Sequence, residues 1–205
     1  MSNDIYREVS DYYSKKLEEH GATPKGVDWN SDAGQTLRFE QLCKVIQDDR
    51  FSIADLGCGY GALFSHLQVR HQDFSYLGVD VSASMIEVAS NNNARMNAKF
   101  MQSEKIEMPF DYVVASGIFN VKLNRSDPEW LEYIKATLSH INSVSRKGFS
   151  FNCLTSYSDP ERIRNDLYYA NPCMLFDFCK KQFSRDVALL HDYGLYEFTI
   201  IVRKL

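Results

Sequence analysis

The spacing of apolar residues divides the chain into a helical start and a longer stretch in which strands alternate with helices. Residues 4–19 repeat apolar side chains at helical spacing, and a second helix is expected from about Asp32 to Gln47, with Ser31 as its cap. From Phe51 onward, short apolar runs alternate with longer amphipathic segments. This change of period predicts that a helical extension precedes an α/β fold.

Seven short apolar runs in the second stretch are predicted to be β-strands. They are Phe51–Leu56, Phe74–Val79, Lys99–Met101, Tyr112–Ala115, Phe149–Leu154, Val187–His191 and Glu197–Val202. Helical patterns lie between most of them, at Ala62–His71, Ala83–Asn93, Pro128–Val144 and Pro160–Lys181. Strands that alternate with helices predict a doubly wound, mostly parallel α/β sheet.

The end of the chain departs from this alternation. Only residues 192–196 separate the last two predicted strands, whereas a parallel crossover needs roughly a dozen residues or more. We therefore expect a C-terminal antiparallel hairpin on a seven-stranded sheet. The interpretation gives two parts, an N-terminal helical extension at residues 1–46 and the α/β domain at residues 47–205.

Composition and charge narrow the class of protein. The chain has 205 residues, 44% of them hydrophobic, and a formal net charge of −4. It has no long basic cluster, which argues against a nucleic-acid partner held through many phosphates. With no long apolar run and no signal-peptide core, we expect a cytoplasmic protein without a membrane partner. Five cysteines without a C-x-x-C pair predict neither a disulfide framework nor a metal site.

The stretch IADLGCGYGA, residues 53–62, carries the strongest functional signal. Three glycines follow the first predicted strand, at Gly57, Gly59 and Gly61. Glycines permit positive φ and close approach of a ligand, and the helix that follows presents unpaired amides. The second strand ends in Asp80, 25 positions beyond Asp55, where an acid can accept hydrogen bonds from ribose hydroxyls. The arrangement predicts a nucleotide site.

The residues leave two kinds of nucleotide open. Gly57, Gly59 and Ala62 also satisfy the G-x-G-x-x-G/A pattern of NAD-dependent oxidoreductases. Against this alternative, Asp55 would lie near a pyrophosphate and repel it, whereas an acid there suits an ammonium group. The chain also has no obvious second domain for a hydride acceptor.

The run DLGCGYG, followed by GVDVSASMI at residues 78–86, resembles the class I S-adenosyl-L-methionine (SAM) dependent methyltransferases. The resemblance covers about Phe51 to Leu205 and includes the terminal hairpin. It implies a Rossmann-like fold, SAM as the cofactor and S-adenosyl-L-homocysteine (SAH) as the product. The motifs are specific for the cofactor and not for the substrate.

The resemblance also assigns residues to the parts of the cofactor. Asp55 would face the methionine amino group, and Asp80 would bind the ribose hydroxyls. The other assignments are the turn beneath methionine and ribose (Gly57, Gly59, Gly61), the adenine contacts (Val81, Met85, Glu104) and the methionine side (Ser116).

Catalytic and acceptor residues carry a weaker signal, because alignment alone can supply much of the rate of methyl transfer. Ligands bind beyond the carboxyl ends of parallel strands, so His191 is the best candidate for a general base, with a pKa near neutrality. The alternative is that His191 satisfies local turn hydrogen bonds. Candidates for the substrate pocket are Trp29, Asn120, Tyr168 and Tyr169.

The extension at residues 1–46 is expected to form a lid over SAM and a small-molecule acceptor. Arg38 would meet the methionine carboxylate, because guanidinium suits two-pronged recognition; a surface salt bridge is the alternative.

DNA methylation is disfavoured, since SGIF at residues 116–119 differs from the D/N-P-P-Y/F type of motif. A protein acceptor and a non-catalytic subunit that binds a partner protein stay open.

Overall fold

The computed structural model describes residues 2–93 and 97–204. Two helices come first, α1 at Ser2–His20 and α2 at Asp32–Cys43, with a short 3-10 turn at Pro24–Val27 between them. Gly21 ends α1 in the left-handed conformation, at φ +67°. The Ser31 side chain caps α2 as predicted, because its hydroxyl accepts a hydrogen bond from an amide in the first turn.

The remainder alternates strands and helices in the predicted order. The strands are β1 (Arg50–Leu56), β2 (Asp73–Asp80), β3 (Ala98–Gln102), β4 (Phe110–Ala115), β5 (Ser145–Leu154), β6 (Asp186–Leu190) and β7 (Glu197–Arg203). The helices are α3 (Ala62–Arg70), α4 (Ala83–Asn92), α5 (Asp127–Val144) and α6 (Pro172–Gln182), with a 3-10 turn at Pro160–Arg162.

The strands form one seven-stranded sheet in the order β3-β2-β1-β4-β5-β7-β6. Strands β1 to β5 pair in parallel, while β7 pairs antiparallel with both β5 and β6. The doubly wound, mostly parallel sheet with a C-terminal hairpin is therefore confirmed. The direction of winding reverses between β1 and β4, which is where open α/β sheets bind their ligands.

Helices cover both faces of the sheet. On one face, Phe39 of α2 and Phe64 of α3 are buried against Tyr112 and Val114 of β4. On the other, α5 and α6 bury a second cluster that includes the intervening Val113. Successive residues of β4 thus point to opposite faces, as the pleat requires. No helix in the described part of the chain is long and apolar enough to cross a membrane.

The helix predicted at Pro160–Lys181 is wrong in its first half. The chain forms a 3-10 turn at Pro160–Arg162 and then runs irregularly until α6 begins at Pro172. The Tyr168 amide donates a hydrogen bond of 2.8 Å to the Asn120 carbonyl, so this segment pairs with the backbone that follows β4 instead of forming helical hydrogen bonds. Residue 171 is held out of the helical region because a proline follows it. The predicted second helix also ends early, at Cys43.

Candidate active site

A cavity of about 970 Å³, counting the space open to solvent at its mouth, lies beyond the carboxyl ends of β1, β2 and β4. Sites for small ligands in proteins have this size. Its floor is the backbone that follows β1, and its roof comes from α1 and the loop after it. The roof side chains are Tyr6, Val9, Tyr13, Val27 and Trp29.

The glycine turn shapes the floor. Gly57 has φ +77°, and a Cβ there would lie 2.1 Å from Cγ2 of Ile118. The amides of Gly57 and Cys58 donate to the Val79 carbonyl at 2.7 and 3.0 Å, which ties the turn to β2. Gly57 and Gly59 line the cavity. Gly61 does not line it; at φ +85° it is the residue from which α3 begins. A side chain at 57 would fill the cradle that a ligand needs.

Asp55 presents an unpaired oxygen to the cavity. The residue is 2% exposed, and its Oδ2 accepts a hydrogen bond of 2.7 Å from the Tyr76 hydroxyl. Its Oδ1 has no hydrogen-bond partner among residues 2–93 and 97–204. Burial raises the pKa of Asp55 to about 7, and the Tyr76 hydrogen bond opposes that shift only in part. A buried carboxyl with one free oxygen suits a cationic ligand group, which would restore its ionised form.

Asp80 is fixed at the edge of the cavity by two backbone amides. Gly59 donates to its Oδ2 and Ser82 to its Oδ1, both at 2.9 Å. Burial raises the pKa of Asp80, while these hydrogen bonds lower it. Val81 and Met85 line the wall next to it, and Glu104 lines the cavity from an exposed position. Ser116, after β4, lines the opposite side.

Comparison with known proteins identifies the family. A profile described as "Methyltransferase domain" matches residues 53–146. A protein of Mycobacterium tuberculosis named "Putative methyltransferase Rv1506c" is 58% identical over 157 residues, covering 76% of this chain and 95% of that protein. This chain belongs to the class I SAM-dependent methyltransferases.

Solved structures of methyltransferases show the same fold. Magnesium protoporphyrin IX methyltransferase from Synechocystis PCC 6803 with bound SAM has a TM-score of 0.70 at 15% identity, over 98% of this chain and 97% of that one. The structure titled "DhpI-SAM-HEP complex" has a TM-score of 0.69 at 16% identity, over 98% of each chain. As a member of this family, the methyltransferase uses SAM as its cofactor and forms SAH as its product.

The cavity of the methyltransferase fits SAM better than NAD. SAM carries an ammonium group, which the free oxygen of Asp55 can accept, whereas the pyrophosphate of NAD would meet a carboxyl there. Among the described residues no group of three or more His, Cys, Asp or Glu is arranged to hold a metal ion.

Arg38 lies behind the cavity wall of the methyltransferase instead of lining it. Its Nε and Nη2 donate to the two carboxylate oxygens of Glu197, each at 2.8 Å. Its guanidinium carbon stacks on the Trp29 ring, 3.9 Å from the centroid. The two-pronged geometry predicted for Arg38 is present, and its partner in the structure is a protein carboxylate rather than a ligand.

His191 is not brought to the cavity. It follows β6, the edge strand, which is separated from β1 by three intervening strands and so lies roughly 19 Å across the sheet. Its ring is exposed and lies 5.9 Å from the Tyr157 ring and 6.0 Å from the Phe198 ring. The role of His191 as a base stays a prediction without a contact to the cavity.

Three predicted pocket residues also lie outside the cavity. Asn120 is buried, and its Oδ1 accepts a hydrogen bond from the Leu154 amide at 2.9 Å. Tyr168 packs into the core at 6% exposure. The Tyr169 hydroxyl accepts from the Arg164 amide at 3.1 Å. Trp29 is the one residue of this group that lines the cavity.

Several lining residues were missed by the sequence interpretation. They are Tyr6, Tyr13, Gln35, Tyr60, Ile118, Tyr133 and Thr137. The apolar face predicted for the first helix holds Tyr13, and that face had no assigned partner. Tyr133 and Thr137 lie on α5, far along the chain from the glycine turn, so no local sequence pattern indicates that they line the cavity.

Proposed function

We propose that this methyltransferase transfers the methyl group of SAM to a small-molecule acceptor bound in the same cavity. The observation that carries the proposal is the roof. Helix α1 is attached to the cofactor side by a hydrogen bond of 2.9 Å between the Ser14 and Ser82 hydroxyl oxygens. Arg125 pairs with Glu8 of α1 at 2.8 Å on its other flank. A roof held on both flanks favours an acceptor small enough to lie beneath it.

The cofactor side holds SAM through the residues described above. SAM supplies a methyl group on a positively charged sulfur, which makes that carbon electrophilic. Asp55 would accept the ammonium group, and Asp80 the ribose hydroxyls. Val81 and Met85 would pack on adenine, with Glu104 at the adenine edge and Ser116 beside the methionine portion. In this arrangement the protein contributes chiefly by binding and orienting the reactants.

The charge of the cavity favours a neutral or cationic acceptor. Asp55, Asp80 and Glu104 line it, and no Lys, Arg or His does so within residues 2–93 and 97–204. A carboxylate or phosphate on the acceptor would meet carboxylates with no cationic side chain in the lining to compensate them. Aromatic rings at Tyr6 and Trp29 offer faces on which a flat or positively charged molecule can pack.

We assign no general base. Burial raises the pKa of Tyr13, Tyr60 and Tyr133, so these hydroxyls stay protonated near neutral pH. The carboxyl of Asp55 is reserved for the ammonium group of the cofactor. The rate then depends on holding the acceptor nucleophile in line with the methyl group, with its proton lost to solvent.

Transfer of a labelled methyl group tests this function. The enzyme is incubated with methyl-labelled SAM and one of four acceptor pools: neutral phenols and amines, small carboxylates and phosphates, RNA and DNA, or unrelated proteins. We expect label in the first pool, lost in Asp80→Ala and kept in Asp73→Ala. Asp73 lies on the same strand with an exposed side chain. Label in protein or nucleic acid alone, or SAH binding with no transfer to any pool, would contradict the proposal.

A further inference from the structure

Five residues in and behind the cavity wall form a closed circle of contacts. Arg38 of α2 donates twice to Glu197 of β7, and the Asn152 side chain donates to Oε2 of Glu197 at 2.9 Å. The Gly117 amide donates to Oδ1 of Asn152 at 2.7 Å. The Trp29 ring closes the circle, because it packs on Gly117 and under the Arg38 guanidinium.

The polar members of this circle are withdrawn from water. Arg38 is 9% exposed, Asn152 0% and Glu197 1%. A buried ion pair gains little net stability, because removing both charges from water costs about as much as their attraction returns. Both oxygens of the Glu197 carboxylate are also occupied, since together they accept three hydrogen bonds. Stability alone is therefore a weak reason for the presence of this ion pair. The geometry that the pair imposes on its neighbours is a stronger reason.

Trp29 is the member of the circle whose side chain faces the cavity. Its indole makes no hydrogen bond to any residue in 2–93 or 97–204, so packing fixes the ring. The Arg38 guanidinium lies over the ring, 3.9 Å from the centroid. Gly117 lies beside Cζ2 and Cη2 of the same ring, where an added Cβ would come within 2.5 Å of Cζ2. The ring therefore contacts both a cation and a bare stretch of backbone.

The same circle sets the backbone on which the ring rests. Gly117 follows Ser116 at the end of β4, and both line the cavity. The Asn152 side chain holds the Gly117 amide, and Glu197 holds Asn152. One buried carboxylate thus fixes Trp29 through Arg38 and the Gly117 backbone through Asn152.

We propose that Arg38 and Glu197 are positioning residues that hold Trp29 and the Ser116–Gly117 backbone at one spacing, and that Trp29 is the acceptor-facing wall of the cavity. The second part rests on the proposed function. The C-terminal hairpin acts on the site through Glu197, at the first residue of β7, without contributing a side chain to the cavity.

Quenching of tryptophan fluorescence by acrylamide tests the positioning directly. The chain has two tryptophans, and Trp130 is 1% exposed with its ring nitrogen bonded to the Phe119 carbonyl. The fluorescence of the Trp29→Phe variant comes from Trp130 alone. Subtracting it from the fluorescence of the parent protein leaves the contribution of Trp29. In Arg38→Met/Glu197→Met, which removes both charges and leaves neither unpaired, we expect the Trp29 quenching constant to rise at least twofold. The Trp130 signal, measured with Trp29→Phe added, should not change.

An exposed ion pair between α2 and α3 provides the control. Glu40 of α2 pairs with Arg70 at 3.2 Å on the exposed surface, so Glu40→Met/Arg70→Met should leave Trp29 quenching unchanged. Gly117→Ala keeps the ion pair and displaces the ring, and should raise quenching as the first variant does. Unchanged Trp29 quenching in the Arg38/Glu197 double variant would overturn the positioning role.

SAH binding separates the two parts of the proposal. If Trp29 faces the acceptor, Trp29→Ala, which leaves the Gly117 amide bonded to Asn152, should bind SAH within about threefold of the parent protein. A tenfold loss of SAH affinity would place Trp29 on the cofactor side and overturn its assignment to the acceptor. Neither result depends on an acceptor being found, so failure here is distinguishable from failure of the labelled-methyl experiment.

Discussion

The two sides of the cavity are built in different ways. The proposed cofactor side consists mainly of two short segments, Asp55–Gly59 and Asp80–Met85, each at the carboxyl end of a parallel strand, with Glu104 and Ser116 beside them. The proposed acceptor side is assembled from α1 and the loop at Trp29, and is supported by Glu197, which lies 159 positions from Arg38. The residues of the cofactor side come mainly from short continuous segments, whereas those of the acceptor side depend on residues far apart in the sequence.

This difference has a chemical origin. In the proposed arrangement the cofactor contacts backbone amides and two carboxyl groups that lie at strand ends, so a short motif suffices. The acceptor side consists of ring faces whose position depends on other side chains. We therefore expect changes on the cofactor side to act on binding of SAM. Changes on the acceptor side should act on packing and on the choice of substrate.

The largest expected effect concerns Asp55 and the stability of the ligand-free protein. Its folded pKa is about 7, raised from 3.8 by burial. Between about pH 4 and 7 the folded state thus holds a proton that the unfolded state has lost. Stability is full below this window and falls as pH rises through it, by on the order of 4 kcal/mol at 1.36 kcal/mol for each pKa unit.

Urea denaturation at pH 5 and pH 8 measures the part of this loss that falls between those two pH values, about 2.6 kcal/mol. Asp80 contributes in the same direction, because burial raises its pKa too. The quantity to compare is therefore the difference between the parent protein and Asp55→Asn, whose stability should depend much less on pH. Equal pH dependence in both proteins would show that Asp55 titrates at its ordinary pKa.

The next effect tests whether the acceptor side is held by the buried pair. Glu197→Met leaves Arg38 buried without its carboxylate, and should lower the free energy of unfolding by about 3–5 kcal/mol. Arg38→Met/Glu197→Met should recover most of that loss. A double-mutant cycle from urea denaturation gives the coupling. Additive losses would mean that the two side chains do not depend on each other.

The same contrast explains how far the sequence could predict this site. Asp55, Gly57 and Asp80, which the sequence predicts to contact the cofactor, all line the cavity, because each lies at the carboxyl end of a strand with an unambiguous apolar pattern. The sequence predicts that Arg38 binds the cofactor, because nothing in the sequence near residue 38 indicates that Glu197 is its partner. Tyr168 and Tyr169 were placed on a helix because the pattern did not reveal the hydrogen bonds to Asn120 and neighbouring backbone.

A smaller effect concerns the roof. If the loop at residues 22–31 closes over bound ligand, its amides should exchange with deuterium at least tenfold more slowly in the presence of SAH. Elements that close over ligands are of low local stability, and ordering on binding slows their exchange. Amides of β5 serve as the internal reference. Equal exchange in both states would argue against closure by the cofactor alone.

The smallest effect is expected at the rim. Glu104 lines the cavity from an exposed position, where water screens its charge. Glu104→Gln should therefore weaken SAH binding by less than about threefold, in line with the modest energies of exposed polar contacts. Titration calorimetry measures this change, and a loss above tenfold would move Glu104 into the group of essential cofactor contacts.

The most direct test of the account is calorimetric titration of SAH into two variants, one from each side of the cavity. Asp80→Ala removes charge-assisted hydrogen bonds worth roughly 1.5–3 kcal/mol each, so SAH affinity should fall at least tenfold. Asp73→Ala, on the same strand, should bind normally, and Trp29→Ala should stay within about threefold of the parent protein. Similar losses for Asp80→Ala and Trp29→Ala, or no loss for Asp80→Ala, would contradict the division of the cavity into a cofactor side and an acceptor side.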